Sequence, residues 1–227
     1  MKERLESLLD RIRQAALACG RDPRSVRLVA VSKTVSAERV RQAVAAGVDT
    51  LGENYIQEAR GKIDALAALP VAWHFIGHLQ TNKAQYAVRL FEMIHTVDTL
   101  KLATEFDRQA ANAGKTQRVL VQVNVSGEAT KSGASEVEAG RLVAEIAKLP
   151  HLSLEGLMTM PPFFDQPEKA RPYFRDLRRL RDEIRQRDLP GVDLRELSMG
   201  MTGDFEVAIA EGATLVRIGT AIFGERG

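Results

Sequence analysis

Arg27-Leu-Val-Ala-Val-Ser-Lys-Thr34 is a short apolar run that ends on a single lysine. Leu28 to Val31 are consecutive apolar residues between Arg27 and Ser32, too few for a helix and apolar on both faces. That pattern predicts a buried strand of a parallel sheet. Ser36 and Glu38 follow, with Val40, Ala43 and Val44 spaced along one side of a helix, so the order is strand, short loop, helix. Lys33 stands at the C-terminal edge of the strand, where α/β folds place their chemistry. Two readings of it stay open at this point. It is a rim lysine whose stem lies along apolar surface while its ammonium reaches water, or an amine held partly out of water and able to form a Schiff base with a carbonyl.

The same strand and helix alternation extends along the rest of the chain. Upstream, Leu5, Leu8, Leu9, Ile12, Ala15 and Ala16 recur at helical spacing over 2–18, an amphipathic first helix stopped by Gly20 and Pro23. Downstream, strands are predicted at 49–54, 72–77, 93–98, 118–125, 152–160, 196–201 and 213–220, with helices over 55–69, 84–90, 100–113, 168–187 and 205–210 and a further one after 133. The polar, glycine-bearing loop 126–133 is of the kind that covers a site. In 168–187 the residues Tyr173, Phe174, Leu177, Leu180 and Ile184 form the stripe to be buried. Its seven arginines read as the solvated face of an outer helix rather than a nucleic-acid patch, because few aromatics or glycines accompany them. Eight strands alternating with helices predict a closed (β/α)8 TIM barrel, one domain over 1–227, with an extra N-terminal helix. No helix is predicted after the eighth strand, and the N-terminal helix is expected to cover that gap. An open doubly wound sheet is disfavoured, since Val-Ser-Lys-Thr-Val-Ser stands where a glycine-rich dinucleotide loop would be.

Composition narrows the function classes. At 227 residues the chain can bury one substantial core and is short for two. Its 32 basic and 30 acidic residues are interspersed and leave a formal charge of +2, so no nucleic-acid footprint stands out. Cys19 is the only cysteine, which excludes an internal disulfide and a cysteine-built metal site. No run approaches a membrane span and the charged N-terminus has no signal-peptide core, so the expected location is the cytoplasm.

In a barrel, the C-terminal rim would gather Lys33, Asn54, His74 or His78, Asp98, Asn124, Met158, 198–202 and 217–220. Ser198-Met-Gly-Met-Thr-Gly203 offers hydroxyls and flexible amides, and Arg217-Ile-Gly-Thr220 offers amides, a hydroxyl and a guanidinium. Loops after strands seven and eight are where this fold seats phosphates. A phosphate seat beside an amine on the first strand, which neighbours the eighth in a closed barrel, defines a small ligand with both phosphate and aldehyde. Pyridoxal phosphate fits. A lysine aldolase acting on a sugar phosphate fits nearly as well, although its lysine more commonly sits on a later strand.

Ala30-Val-Ser-Lys-Thr34, Gly52-Glu-Asn54, Trp73-His-Phe-Ile-Gly-His-Leu-Gln-Thr-Asn-Lys83, Ser198-Met-Gly-Met201 with Asp204, and Val216-Arg-Ile-Gly-Thr-Ala-Ile-Phe-Gly224 resemble the pyridoxal phosphate homeostasis proteins, small relatives of the alanine racemase barrel. The resemblance implies pyridoxal 5'-phosphate held as an internal aldimine on Lys33. It implies that Ser198, Met199, Gly200, Gly219 and Thr220 line the phosphate, that Arg217 approaches the ring or the phosphate, and that Asn54 lies beside the cofactor. Thr202 stands where members often carry serine, and the hydroxyl is kept. The resemblance also implies a non-enzymatic role in cofactor supply, with no catalytic and no metal-ligating residues. Related racemases add a C-terminal β-domain, and a partner's tyrosine supplies their second proton-transfer group. The sequence stops at Gly227, and Tyr55, Tyr86 and Tyr173 are not obvious rim residues, so two-base racemisation is not expected. The expected partners are the phosphate-bearing ligand and, transiently, apo-enzymes that use it, for a monomer with no nucleic acid or membrane bound. A racemase-like enzyme and a scaffold touching RNA through the basic helix remain as alternatives.

Overall fold

The computed structural model describes residues 1–128 and 131–224. Its strands are β1 (Arg27–Val31), β2 (Thr50–Glu53), β3 (Ala72–Phe75), β4 (Met93–Val97), β5 (Gln117–Gln122), β6 (Leu152–Met158), β7 (Glu196–Ser198) and β8 (Leu215–Ile218). All pair in parallel and in sequence order, and β8 returns to β1 to close the barrel, with Val29 opposite Arg217 and Ala30 opposite Ile218. The helices are α1 (Lys2–Ala18) before the first strand, α2 (Ala37–Ala45), α3 (Ile56–Ala65), α4 (Ala84–Leu90), α5 (Leu100–Asn112), α6 (Glu136–Ile146), α7 (Arg171–Arg185) and α8 (Phe205–Ala210) between strands, and α9 (Thr220–Phe223) after the last. Capping follows the sequence: Ser36 and Thr99 accept from the third residues of α2 and α5, and Ser135 with Glu138 forms a full capping box on α6.

The expectation that no helix follows the last strand is corrected by α9. This single turn starts at Thr220 because Gly219 lets the chain pass close to β1, where a Cβ would lie 3.0 Å from the Val31 carbonyl. The N-terminal helix does cover this region. α1 packs on α8 and α9 and buries Leu5, Leu8, Ile12 and Ala16 there. Several strands are shorter at their C-terminal ends than their apolar patterns predict, since residues such as Asn54, Gly77 and Met160 already belong to rim loops.

Two cores result. The larger lies between strands and helices, and a second is made of Val29, Met93, Leu120, Met158 and Leu215. These five come from strands on opposite sides of the ring, so they meet inside it, filling the barrel as this fold requires. At the strand starts, Arg118 bridges β5 to Glu155 of β6 at 2.7 Å, Arg195 reaches Glu155 at 3.1 Å, and Arg27 of β1 meets Glu196 of β7 at 2.6 Å. Ion pairs therefore seal the end away from the rim. The arginines of α7 are engaged as well. Arg171 and Arg178 hold Glu211 at 2.8 and 3.1 Å, and Arg179 pairs with Asp176 at 3.3 Å. Of the stripe expected on α7, Phe174, Leu177, Leu180 and Ile184 are buried, while Tyr173 is half-buried and stacks on Phe164 with ring centroids 5.7 Å apart.

Candidate functional site

A cavity of about 300 Å³ opens at the C-terminal rim over the β8–β1 seam. It joins Lys33, Asn54, Thr202, Arg217, Gly219 and Thr220, all anticipated from sequence, and apolar walls from Val31, Ile76, Phe164 and Phe223. Lys33 sits in the turn just beyond β1 and is half-buried, so the amine is neither in bulk water nor sealed in the core. Facing it are the loops after β7 and β8. Met201 N–H donates to Asp204 Oδ1 at 2.6 Å, and the amides of Asp204 and Phe205 return to the Met201 carbonyl. Among the described residues, the neighbouring amides of Thr202 and Gly203 donate to no protein acceptor. They are donors available to an anion, with the Thr202 and Thr220 hydroxyls beside them.

Ser198, Met199 and Gly200 are not among the cavity's lining residues; they stand beneath and behind it. Met199 is fully buried in the outer core. Gly200 adopts φ +92°, and a Cβ there would lie 2.6 Å from that of Ala208, so its lack of a side chain lets the β7 loop turn against α8. The Ser198 hydroxyl accepts from Arg217 Nη1 at 2.7 Å and lies 2.9 Å from His95 Nδ1, while His95 Nε2 lies 3.0 Å from His74 Nδ1. A second Arg217 nitrogen donates to the Thr159 carbonyl at 2.8 Å. Burial lowers His74 to about 3 and His95 well below the usual histidine value, so both rings are neutral. With both rings neutral, one arrangement satisfies the chain: Arg217 donates to Ser198, Ser198 donates to His95 Nδ1, and His95 Nε2–H donates to His74. The result is a fixed guanidinium at the cavity floor. Burial lowers Arg217 to about 10, with Asp204 acting against that, so the side chain stays charged at neutral pH.

Other rim residues fall elsewhere. His78 and Asp98 line a separate surface depression beside the β3–α4 loop, away from the lysine, and burial raises the Asp98 carboxyl. The loop 126–133 was expected to cover the site. Its described residues do not line the cavity and instead fold back on β5, with Asn124 Nδ2 donating to the Glu128 carbonyl at 2.8 Å and Gln122 Nε2 to that of Ser132 at 3.0 Å. Ala129 and Thr130 of that loop lie outside the described residues. The β6–α7 loop takes the covering position, through Met160, Phe163 and Phe164. Sequence reasoning passed over it, although an apolar Pro-Pro-Phe-Phe run directly after a strand end is a legible signal for a wall at the rim.

One observation bears on a ligand that carries a donor. Asn54 is among the residues lining this cavity, and its buried Oδ1 has no hydrogen-bond partner among the described residues. A buried acceptor of that kind is costly unless a bound group satisfies it. An amine, an anion seat and an orphaned amide around one half-apolar cavity suit a flat polar ring with aldehyde, hydroxyl and phosphate substituents.

Fold and site define a barrel of the alanine racemase type, and residues 4–227 match the family described as "Alanine racemase, N-terminal domain". Within that class, the chain belongs to the pyridoxal phosphate homeostasis protein family. It is 47% identical over 224 residues to the "Pyridoxal phosphate homeostasis protein" of Aquifex aeolicus (strain VF5), covering 99% of this chain and 97% of that one. The protein of the same description from Pseudomonas aeruginosa is 46% identical, with 99% and 95% covered. The structure of PipY from Synechococcus elongatus PCC7942, with PLP bound, superposes with a TM-score of 0.86 at 37% identity, covering 98% of this chain and 99% of that one. An alanine racemase of Clostridium difficile 630 shares the fold at TM-score 0.74 and 17% identity, and this chain covers 57% of it.

Proposed function

We propose that the protein binds pyridoxal 5'-phosphate as a single domain over 1–227 and serves to hold and supply that cofactor without turning over a substrate on it. The observation that carries the reading is the joint placement of Lys33, the free Thr202 and Gly203 amides and the orphaned Asn54 acceptor around one cavity. Pyridoxal phosphate supplies an aldehyde and a phosphate dianion. Lys33 would hold the cofactor through its amine, to which the aldehyde would supply an electrophilic carbon. Thr202, Gly203, Gly219 and Thr220 bind the phosphate through amides and hydroxyls, and Asn54 orients a ring substituent. Ser198, Met199 and Gly200 support these groups from behind, Ser198 by fixing Arg217. Arg217 presents a charged donor at the cavity floor. A charged donor of that kind beside a bound ring would disfavour protonation of its nitrogen and so would weaken the electron-withdrawing pull that amino-acid chemistry needs.

Close sequence relatives and a similar structure described as holding PLP support the reading. Among the described residues no helix is long and apolar enough to cross a membrane. The proposal extends to a monomer in the cytoplasm that passes its ligand to apo-enzymes by transient contact. Borohydride reduction followed by mass spectrometry tests it: pyridoxal phosphate should be fixed on Lys33, and Lys33→Ala should abolish both the adduct and the visible absorbance. An adduct on another residue, or measurable exchange of an amino acid's α-proton by the loaded protein, would overturn it.

A further inference from the structure

Outside the cavity lies a charged cluster whose side chains do not line it. Glu58 and Lys62 stand one turn apart on α3, joined at 2.6 Å, and Lys62 Nζ also lies 2.7 Å from Glu53 Oε1 at the end of β2. Glu53 further accepts from the Ser32 hydroxyl at 2.6 Å. Both α3 side chains then reach the backbone around Lys33. Lys62 Nζ donates to the carbonyl of Ser32, the residue before it, and Glu58 accepts from the amide of Thr34, the residue after it. Thr34 has φ +62°, a left-handed conformation that a β-branched residue adopts only under constraint. The turn is closed by Val35 N–H donating to the Ser32 carbonyl at 3.0 Å and by the Thr34 hydroxyl donating to that of Lys33 at 2.6 Å, and the two α3 side chains fasten it from outside. Such local strain persists where surrounding structure enforces it, and it occurs at functional sites.

We propose that Glu58 and Lys62 are positioning residues for Lys33: together they clamp the peptide groups on either side of it and hold the strained turn that aims its amine into the cavity. The inference rests on the reading that Lys33 carries the aldehyde. Neither side chain lines the cavity, so neither acts on the ligand directly. Releasing the clamp lets Thr34 relax to an ordinary backbone conformation and swings the lysine away from its bonding position. The condensation itself, amine plus aldehyde to imine plus water, is unchanged; what shifts is its equilibrium.

Lys62→Met would strand the buried Glu53 carboxylate and damage the fold, so the half-buried Glu58 is the residue to vary. Apo protein is titrated with pyridoxal phosphate and, separately, with pyridoxine phosphate, which has an alcohol in place of the aldehyde and fills the same cavity without condensing. Glu58→Ala should weaken pyridoxal phosphate about tenfold, the worth of holding one left-handed non-glycine residue. It should leave pyridoxine phosphate unchanged. Glu58→Gln, whose amide oxygen still accepts from Thr34, should restore most of the loss. In a Thr34→Asn background, where the left-handed turn is tolerated, Glu58→Ala should have a much smaller effect. Equal weakening of both ligands, or no weakening of either, overturns the clamp; if Glu58→Ala does not fold, Glu58→Met, which fills similar space without an acceptor, is read by the same criterion. Wild-type protein that borohydride does not label at Lys33 refutes the underlying reading instead, so the two failures are distinct.

Discussion

His74 and His95 touch ring to ring inside the barrel, and their neutrality gives the fold a pH dependence of known sign. Burial lowers both below the unfolded histidine value of 6.5, so the unfolded chain takes up protons that the native one refuses. Their contribution to stability is complete above pH 6.5 and is lost as pH falls below it, by about 1.4 kcal/mol per pH unit for each ring. Urea midpoints at pH 7 and pH 5 check this. Wild type should lose about 2 kcal/mol more over that interval than His95→Gln, which cannot titrate. The residue scale is also where sequence reading was most uneven. Lys33 and Arg217 were legible because each interrupts an apolar strand with a charge. Nothing local marks His95, whose partners are side chains from β3 and β7, far apart in sequence and joined only by barrel closure. Asp204 carries no local mark of a site residue, yet it braces the loop that leaves two amides free. Nothing local marks Lys62 as a clamp, since its i, i+4 spacing from Glu58 is equally that of a surface pair.

At the scale of elements, the link from β7 into α8 determines the anion seat. Gly200 crosses it at positive φ with Ala208 and Phe205 pressed against the position of its absent Cβ. Gly200→Ala must push α8 away from the strand, at a cost of about 1–3 kcal/mol. Because Thr202 and Gly203 hang from the same link, this variant should lose affinity for pyridoxal phosphate by a larger factor than for pyridoxal, which carries no phosphate, as absorbance titrations of both would show. Strand existence and order were legible throughout, since apolar runs alternating with amphipathic helices leave few topologies. Strand ends were not. In a barrel the strand stops where its neighbours leave the ladder, a matter of register and tilt that apolarity does not encode. The loop expected as the cover keeps its described residues off the cavity for a related reason. Polarity and glycine mark 126–133 as a loop, but coverage depends on which strand end it springs from, and β6 rather than β5 faces the lysine's cavity through Phe163 and Phe164.

Across the whole molecule, α1 is the piece that the repeating strand and helix unit does not require. It buries Leu5, Leu8 and Ile12 against α8 and α9, with Arg11 lying over the Phe205 ring at 4.7 Å. Leu8→Ala should therefore destabilise the entire barrel by about 2–5 kcal/mol, measured as a shift of the urea midpoint at unchanged slope. An unchanged midpoint would mean that the helix rides on the barrel without supporting it. Closure of the ring has a further, temporal consequence. The amine comes from β1 and the amides from the loops after β7 and β8, so no fragment that stops short of the last strand brings the two halves of the site together. Pairings so distant along the chain are slow to form. Colour from the bound cofactor should accordingly appear in the final phase of refolding, after helical signal has recovered, and would serve as a clock for the moment when the first and last strands meet.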